Sequence, residues 1–426
     1  MSATITQGFL DHKIFSIVSE VAAERGVRAF VIGGYVRDCF LGRPSKDIDI
    51  VVDLPRGGIE LAEYLYENDD LVHPPVIYEN FGTVMFRLID FPDIELEAVH
   101  TRKETYRGDS RKPETAFGTI EEDCQRRDFT VNAFYRNIST GKAHDFNGNS
   151  KKDLLNKEIR ACGDPDVIFG EDPLRILRAF RFADRLGFRL DGLTFLGMNK
   201  HCDRLSIISQ ERITDEFNKI LLGNDPTYMF GGMLGPTLKK YIFPVLDKGG
   251  LSKIFNISLK QNLKRCPKDL IVRLAVLFNR LETTTIKILM KSMKYSNDQI
   301  DEVCFLVEKG NKYKDYTFIK PTVRQIMFEC KTFSRFCCLT SFLEAIEEKG
   351  YELKLMGMLD VGDVMFGYKL PVNGDDIMKE YNLEPGPLIK EILEYLQTQC
   401  FFNPYQTKEV LLKSVKGILD LKKSIE

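Results

Sequence analysis

The chain has 426 residues, 43% of them apolar and 29% charged, with no tryptophan and a formal net charge of −2. That length holds two to four domains with substantial cores, and a near-neutral balance excludes a uniformly basic nucleic-acid coat while leaving room for a local patch. No apolar run is long enough to span a bilayer, no leader segment is evident and the ten cysteines form no Cys-x-x-Cys pair, so reduced thiols in the cytoplasm are expected.

Phe9 to Glu24 reads as an amphipathic helix leading into the apolar run Ala29 to Ile32. That run stops at Gly33-Gly34, the pattern of a buried strand meeting a turn of close backbone approach. Helical character follows from Tyr35 to about Phe40, and Gly42 and Pro44 end it. A second strand carries Asp47 through Val52, with Asp47 and Asp49 on one face and Ile48, Ile50 and Val52 on the other, turned to the core. Two carboxylates side by side on a strand repel each other unless a cation sits between them. Mg²⁺ suits the position, because it is held by one or two carboxylates and completed by substrate phosphates. Gly33 and Gly34 at a helix start, with Arg37 one turn in, would supply backbone donors and a cation for a triphosphate. Solvated edge-strand charge is the plainer account of a lone Asp-x-Asp; the Gly-Gly-Tyr-Val-Arg-Asp just upstream weighs against it.

Tyr78 to Leu88 and Ile94 to Val99 read as two further strands, joined at Asp90-Phe-Pro-Asp93. Glu95, Glu97 and Val99 share a face, so either Glu95 or Glu97 could bring a third carboxylate to Asp47 and Asp49. Tyr106 to Glu114 is polar, broken by Gly and Pro, and carries three basic residues, as a mobile surface loop does. In Gln125-Arg-Arg-Asp-Phe-Thr-Val-Asn-Ala133, Arg126, Arg127 and Asp128 pack opposite charges at the start of an apolar segment: either Arg127 forks phosphate oxygens while Asp128 accepts from ribose hydroxyls, or the three form a surface ion-pair cluster.

Glu171 to Arg185 has a strong helical signal, with Asp172 able to cap and Pro173 suited to the first turn. Arg175, Arg178, Arg181 and Arg185 fall within a third of its circumference, opposite an apolar side. Such a stripe repels itself unless an anion occupies it or other helices supply the acids. Ser209 to Phe217 opens another helix, with Ile213, Phe217, Ile220 and Leu221 at core spacing, and reads as packing. From about 225 onward the chain is helical. Lys and Arg outnumber Asp and Glu by 14 to 7 over 251–320, a basic patch or simply wet helix faces. All five histidines fall at or before His201, so the second half cannot build a His-based metal site.

Gly33-Gly-Tyr-Val-Arg-Asp38 with Lys46-Asp-Ile-Asp49 resembles the opening signature of class II tRNA nucleotidyltransferases, the CCA-adding enzymes, and of the related bacterial poly(A) polymerases. The resemblance is strong over 28–222 and weaker to the C-terminus. It implies an α+β chain: a small mixed-sheet nucleotidyltransferase head at 1–150, then an all-helical neck at 151–225, body at 226–350 and tail at 351–426. The implied activity is template-independent addition of CCA to the tRNA 3′ end from CTP and ATP. In it the RNA 3′-OH attacks the α-phosphate with Mg²⁺ assistance and pyrophosphate leaves.

The resemblance puts the third carboxylate on Glu97, because the family's acid directly precedes a short link to a run matched by Arg102-Lys-Glu-Thr-Tyr106. It likens Tyr106 to Glu114 to a flexible loop tied to the switch from C to A, and His144 to Leu154 to a hinge. Glu171-Asp172-x-x-Arg175 matches the motif that selects the incoming base, with Arg178 and Arg181 lining the nucleotide site. The chemistry agrees. A carboxylate accepts from the amino group of cytosine or adenine while a guanidinium donates to the adjacent ring nitrogen. Uracil and guanine present the reverse order, and unmatched buried polar groups reject a substrate by ~10⁴-fold or more. Body and tail of the family grip the acceptor and T-arm of tRNA. Arg273 to Arg280 stands where many bacterial relatives carry a metal-binding Leu-His-Asp run, so the accessory phosphohydrolase activity is expected to be missing. CC-only, A-only or poly(A) addition, and a catalytically silent RNA-binding protein, are the competing readings.

Overall fold

A computed structural model of the chain describes residues 13–43, 45, 47–68, 72–79, 82–89, 95–105, 114–316, 318–347, 349–351, 355, 357 and 365–423. The chain parts into two compact units, Met1–Pro244 and Val245–Glu426. The expected head and neck lie together in the first; the expected tail and nearly all of the body fall in the second.

The first unit begins with α1 (Lys13–Glu24), which buries Ile14, Phe15, Val18, Val21 and Ala22. The strands are β1 (Ala29–Ile32), β2 (Asp47–Val52), β3 (Val76–Tyr78), β4 (Thr83–Arg87), β5 (Glu95–His100), β6 (Arg102–Thr105), β7 (Glu114–Phe117), β8 (Tyr135–Asn137) and β9 (Ala143–His144). Seven of them form one mixed sheet in the order β3-β4-β5-β2-β1-β8-β9, and β6 and β7 pair separately as a hairpin. Residues 106–113, nearly all of the expected loop between β6 and β7, lie outside the described residues.

Strand β2 runs antiparallel to β1 and parallel to β5. The sequence reading of Tyr78 to Leu88 as one strand is corrected: Gly82, at φ +59°, turns the chain, and β3 and β4 pair antiparallel across it. Both faces of the sheet are covered. On one side lies α3 (Gly57–Asn68), whose Gly58 sits so close to β5 that an added Cβ would meet the Val99 amide nitrogen at 2.6 Å. On the other, Phe30, Ile32, Val51, Ala133 and Tyr135 share a core with Ile120 and Cys124 of α4 (Ile120–Gln125) and with Cys162. Only the N-terminal end of the Asp47/Asp49 face of β2 is therefore open; beyond it Val51 is core.

This unit also holds helices α2 (Gly33–Phe40), α5 (Ser150–Asn156), α6 (Pro165–Glu171), α7 (Leu174–Leu186), α8 (Gly192–His201), α9 (Gln210–Leu221) and α10 (Gly235–Ile242), and a short parallel ladder of Glu158–Ile159 with Arg189–Leu190. Helix α7 buries Ile176, Leu177, Ala179, Phe180, Ala183 and Leu186 and ends at Gly187 in the left-handed region. It packs on α9, and α6 packs on α8.

The second unit is helical. In its last part, the helices Gly374–Tyr381, Pro387–Phe402 and Lys408–Lys423 close around Val372, Ile377, Ile389, Ile392, Leu396, Cys400, Leu411 and Val415. In the helix Leu270–Phe278, Arg273 is buried and donates to the Pro267 and Cys266 carbonyls. Among the described residues no helix is long and apolar enough to cross a membrane, and none of the ten cysteines is in a disulfide.

Candidate active site

The parallel ladder of β2 and β5 sets Asp47 beside Glu95 and Asp49 beside Glu97. Glu95 turns toward Arg87, at 3.7 Å, which leaves Glu97 as the carboxylate next to Asp49. Burial pushes the Asp49 carboxyl up from its ordinary value; Arg127 opposes that shift and Asp47 adds to it. Glu97 is raised too, first by burial and then by the charge of Asp49. Gly33 backs this pair. Its φ of +72° belongs to the left-handed region, and a Cβ there would lie 3.0 Å from Asp49 Oδ2.

Two oxygen donors that burial and mutual repulsion drive toward neutrality fit a hard divalent cation. Among the described residues no group of three or more His, Cys, Asp or Glu gathers to hold an ion unaided. A pair of carboxylates suits an ion whose shell is completed by substrate oxygens.

In front of the carboxylates lies a cavity of about 230 Å³. Its wall joins Gly33, Gly34, Asp47 and Asp49 to Arg127, Asp128 and Asn132, and to Arg178, Arg181 and Arg185 of α7. Ten of the twelve residues expected from sequence are at this cavity or paired with it through the β2–β5 ladder. The two expected base readers do not line it. Asp172 Oδ1 accepts from the Leu174 amide at 3.2 Å, and its other oxygen is 3.7 Å from Arg212 of α9. Arg175 is buried, donating to the Arg126 carbonyl at 2.8 Å and the Ile168 carbonyl at 3.4 Å.

Two expectations about charge change. Arg37 reaches the cavity wall but is only 2% exposed. Its guanidinium grips Asp38 at 2.8 and 2.9 Å and donates to Asn132 Oδ1, so it fixes α2 rather than presenting an open fork. The arginine stripe of α7, in turn, does meet acids from other elements. Arg178 pairs with Asp128 at 2.6 Å, Arg181 with Glu216 of α9, and Arg185 approaches Asp38 at 3.9 Å. Burial would raise Asp128, but the Arg178 charge prevails and holds it low. Asn132 links the two sides, accepting from Arg37 and donating to Asp128 at 3.2 Å.

Phe182 was not singled out in the sequence, yet it lines the cavity and three guanidiniums surround its ring. Arg181, Arg178 and Arg37 stand 4.4, 5.4 and 5.7 Å from its centroid. The ring face attracts cations and keeps the fan of arginines in place. Its i+4 spacing from Arg178 was the available signal.

Residues 29–160 match the poly A polymerase head domain, and 187–249 match a model described as a probable RNA and SrmB-binding site of polymerase A. A CCA-adding enzyme of Streptococcus suis (strain 05ZYH33) is 30% identical over 400 residues, covering 93% of this chain and 94% of the relative. One from Ligilactobacillus salivarius (strain UCC118) is 30% identical over 414 residues, covering 95% and 96%. Among solved structures, the Bacillus stearothermophilus CCA-adding enzyme in complex with CTP superposes with a TM-score of 0.75 at 20% identity, over 97% of this chain and all of that one.

Proposed function

The chain belongs to the family of CCA-adding enzymes, and on that footing we propose that it adds C, C and A to the 3′ end of tRNA from CTP and ATP, without a template. The carrying observation is the in-register Asp49–Glu97 pair, with Asp47 beside it, facing an arginine-lined cavity. Members of such nucleotidyltransferase families use a divalent metal, and the donor set here suits Mg²⁺. Asp47 and Asp49 would hold it; when bound, it neutralises charge on the triphosphate and on the developing transition state.

The remaining work falls to the chain's own groups. Gly33 and Gly34 admit the triphosphate close to the backbone, and Arg127 and Arg178 neutralise its oxygens. Asp128 engages the ribose hydroxyls, exchanging its hold on Arg178. Glu97 takes up the proton of the attacking RNA 3′-OH, a task its raised pKa favours. Pyrophosphate leaves among the α7 arginines. Asp172 and Arg175, which do not line the cavity as it stands, read the base by exchanging their present holds on the Leu174 amide, Arg212 and the Ile168 and Arg126 carbonyls for its edge. We assign catalysis to 1–150, base selection to 151–225, and tRNA acceptor and T-arm binding to 226–350 and 351–426, in the cytoplasm.

The test supplies tRNA ending at the discriminator base with CTP, ATP or both, and sizes products at single-nucleotide resolution. Three additions with both nucleotides are expected. A long A ladder, or no extension at all, overturns the assignment.

A further inference from the structure

In Glu121-Glu122-Asp123 the last acid parts from the two exposed ones before it. Glu122 closes a capping box with Thr119 at the start of α4, whereas Asp123 turns inward and is 0% exposed. The two arginines three and four residues later, Arg126 at the C-cap of α4 and Arg127 just beyond it, both reach back to this carboxylate.

Each oxygen of this carboxylate has its own partners. Oδ2 accepts from Tyr135 Oη at 2.6 Å and from Arg127 Nη2 at 2.8 Å and Nε at 3.2 Å. Tyr135 Oη also accepts from Arg127 Nε at 2.9 Å, and the Arg127 guanidinium lies 5.3 Å from the Tyr135 ring centroid. Oδ1 accepts from Arg126 Nε at 3.1 Å and from the Arg102 amide at 3.4 Å, while Arg126 Nε donates to the Arg102 carbonyl at 3.0 Å. Arg102 opens the β6–β7 hairpin. Burial alone would raise Asp123; the Arg127 and Arg126 charges instead hold it far below the carboxylate range.

We propose that Asp123 is a positioning residue for nucleotide binding: its carboxylate aims Arg127 into the cavity and ties that aim to the root of the β6–β7 hairpin. A planar guanidinium binds phosphate well only when its fork is already oriented. Here one buried carboxylate and one phenol hold Arg127, which itself lines the cavity. The inference rests on the nucleotide-binding reading of the cavity, and it differs from a plain structural ion pair in acting on nucleotide through Arg127 alone.

A double-mutant cycle separates the two. Calorimetry with CTP and with ATP is run on the full chain, on Asp123→Asn, on Arg127→Ala and on the double variant. Asp123→Asn is expected to weaken both nucleotides about tenfold or more, an amount in the range of a lost charge-assisted contact. Added to Arg127→Ala, the same change should alter affinity less than twofold. Losses that multiply, or an Asp123→Asn protein that binds like wild type, overturn the proposal. If Asp123→Asn does not fold, Tyr135→Phe replaces it in the cycle; it removes the bridging hydroxyl and keeps the ring, and the same non-additivity decides. A wild-type chain that binds nucleotide through a non-additive Asp123–Arg127 pair yet never extends tRNA would overturn the proposed function and leave this inference standing. Extension with an additive cycle does the reverse.

Discussion

Replacing Gly33 with alanine perturbs the site in two separable ways. The left-handed backbone at φ +72° disfavours any side chain by about 1–2 kcal/mol, which for a unit of this size lowers its melting temperature by roughly 2–8 °C. In addition, the new Cβ would stand 3.0 Å from Asp49 Oδ2, a contact relieved only when the carboxylate moves by a few tenths of an ångström. A displacement of 1 Å at a reacting centre costs on the order of 100-fold, so about a tenfold fall in rate is expected from this smaller one. Gly42→Ala is the internal control. Gly42 has φ +65° with nothing within 4 Å of its Cβ position, so it carries the strain without the contact. The assay pairs scanning calorimetry with steady-state CMP addition to tRNA. Both variants should melt lower by similar amounts, and only Gly33→Ala should lose rate. Equal rates for the two at equal melting shifts would refute the reasoning.

Three other outcomes follow from the site. Asp49→Asn should abolish turnover while the fold survives, and chelation of divalent ions should stop wild type until Mg²⁺ is restored; turnover in chelator would remove the metal from the account. Asp172→Ala or Arg175→Ala should raise UMP and GMP incorporation relative to CMP and AMP by about 10²-fold or more, and unchanged ratios in single-nucleotide extension would undo the base-reading assignment. Asp128, whose folded pKa is depressed, contributes stability that is fully present above the unfolded carboxylate pKa, near about 3.9, and is lost as pH falls through the lower folded value. The difference in urea midpoint between wild type and Asp128→Asn should therefore be constant above roughly pH 5 and shrink in stronger acid; a difference that grows on acidification would reverse the sign.

What could be read from the sequence was local. The period-two pattern of β2 gave the shared face of Asp47 and Asp49, the apolar repeat of α7 gave its buried side, and Gly33-Gly34 marked the close approach that Asp49 uses. The resemblance narrowed the third carboxylate to Glu97; the β2–β5 register sets Glu97 beside Asp49 as it sets Glu95 beside Asp47. Most of the losses were non-local. Arg181 meets Glu216 from another helix, and Arg185 approaches Asp38, far back in the chain, so the stripe looked unpaired when read along one helix. Arg37 looked like an open phosphate ligand because Asn132, across the head, is invisible to spacing. The single strand assumed from Tyr78 to Leu88 ignored that glycine at a positive φ reverses direction. Period and propensity report what a segment prefers, while charge pairing reports where distant segments meet.

The parallel pairing of β2 with β5 also governs how this head tolerates change. Parallel neighbours cannot be joined by a tight turn, so the chain between them makes a long excursion through α3 and the β3–β4 hairpin. Lengthening that excursion leaves the ladder, and with it the spacing of Asp49 and Glu97, untouched. Deleting a single residue inside β5 would instead exchange the places of Glu97 and its neighbours Leu96 and Ala98, burying an acid and exposing an aliphatic. The chemistry of this head is thereby insulated from variation in a detour and hostage to one residue of phase.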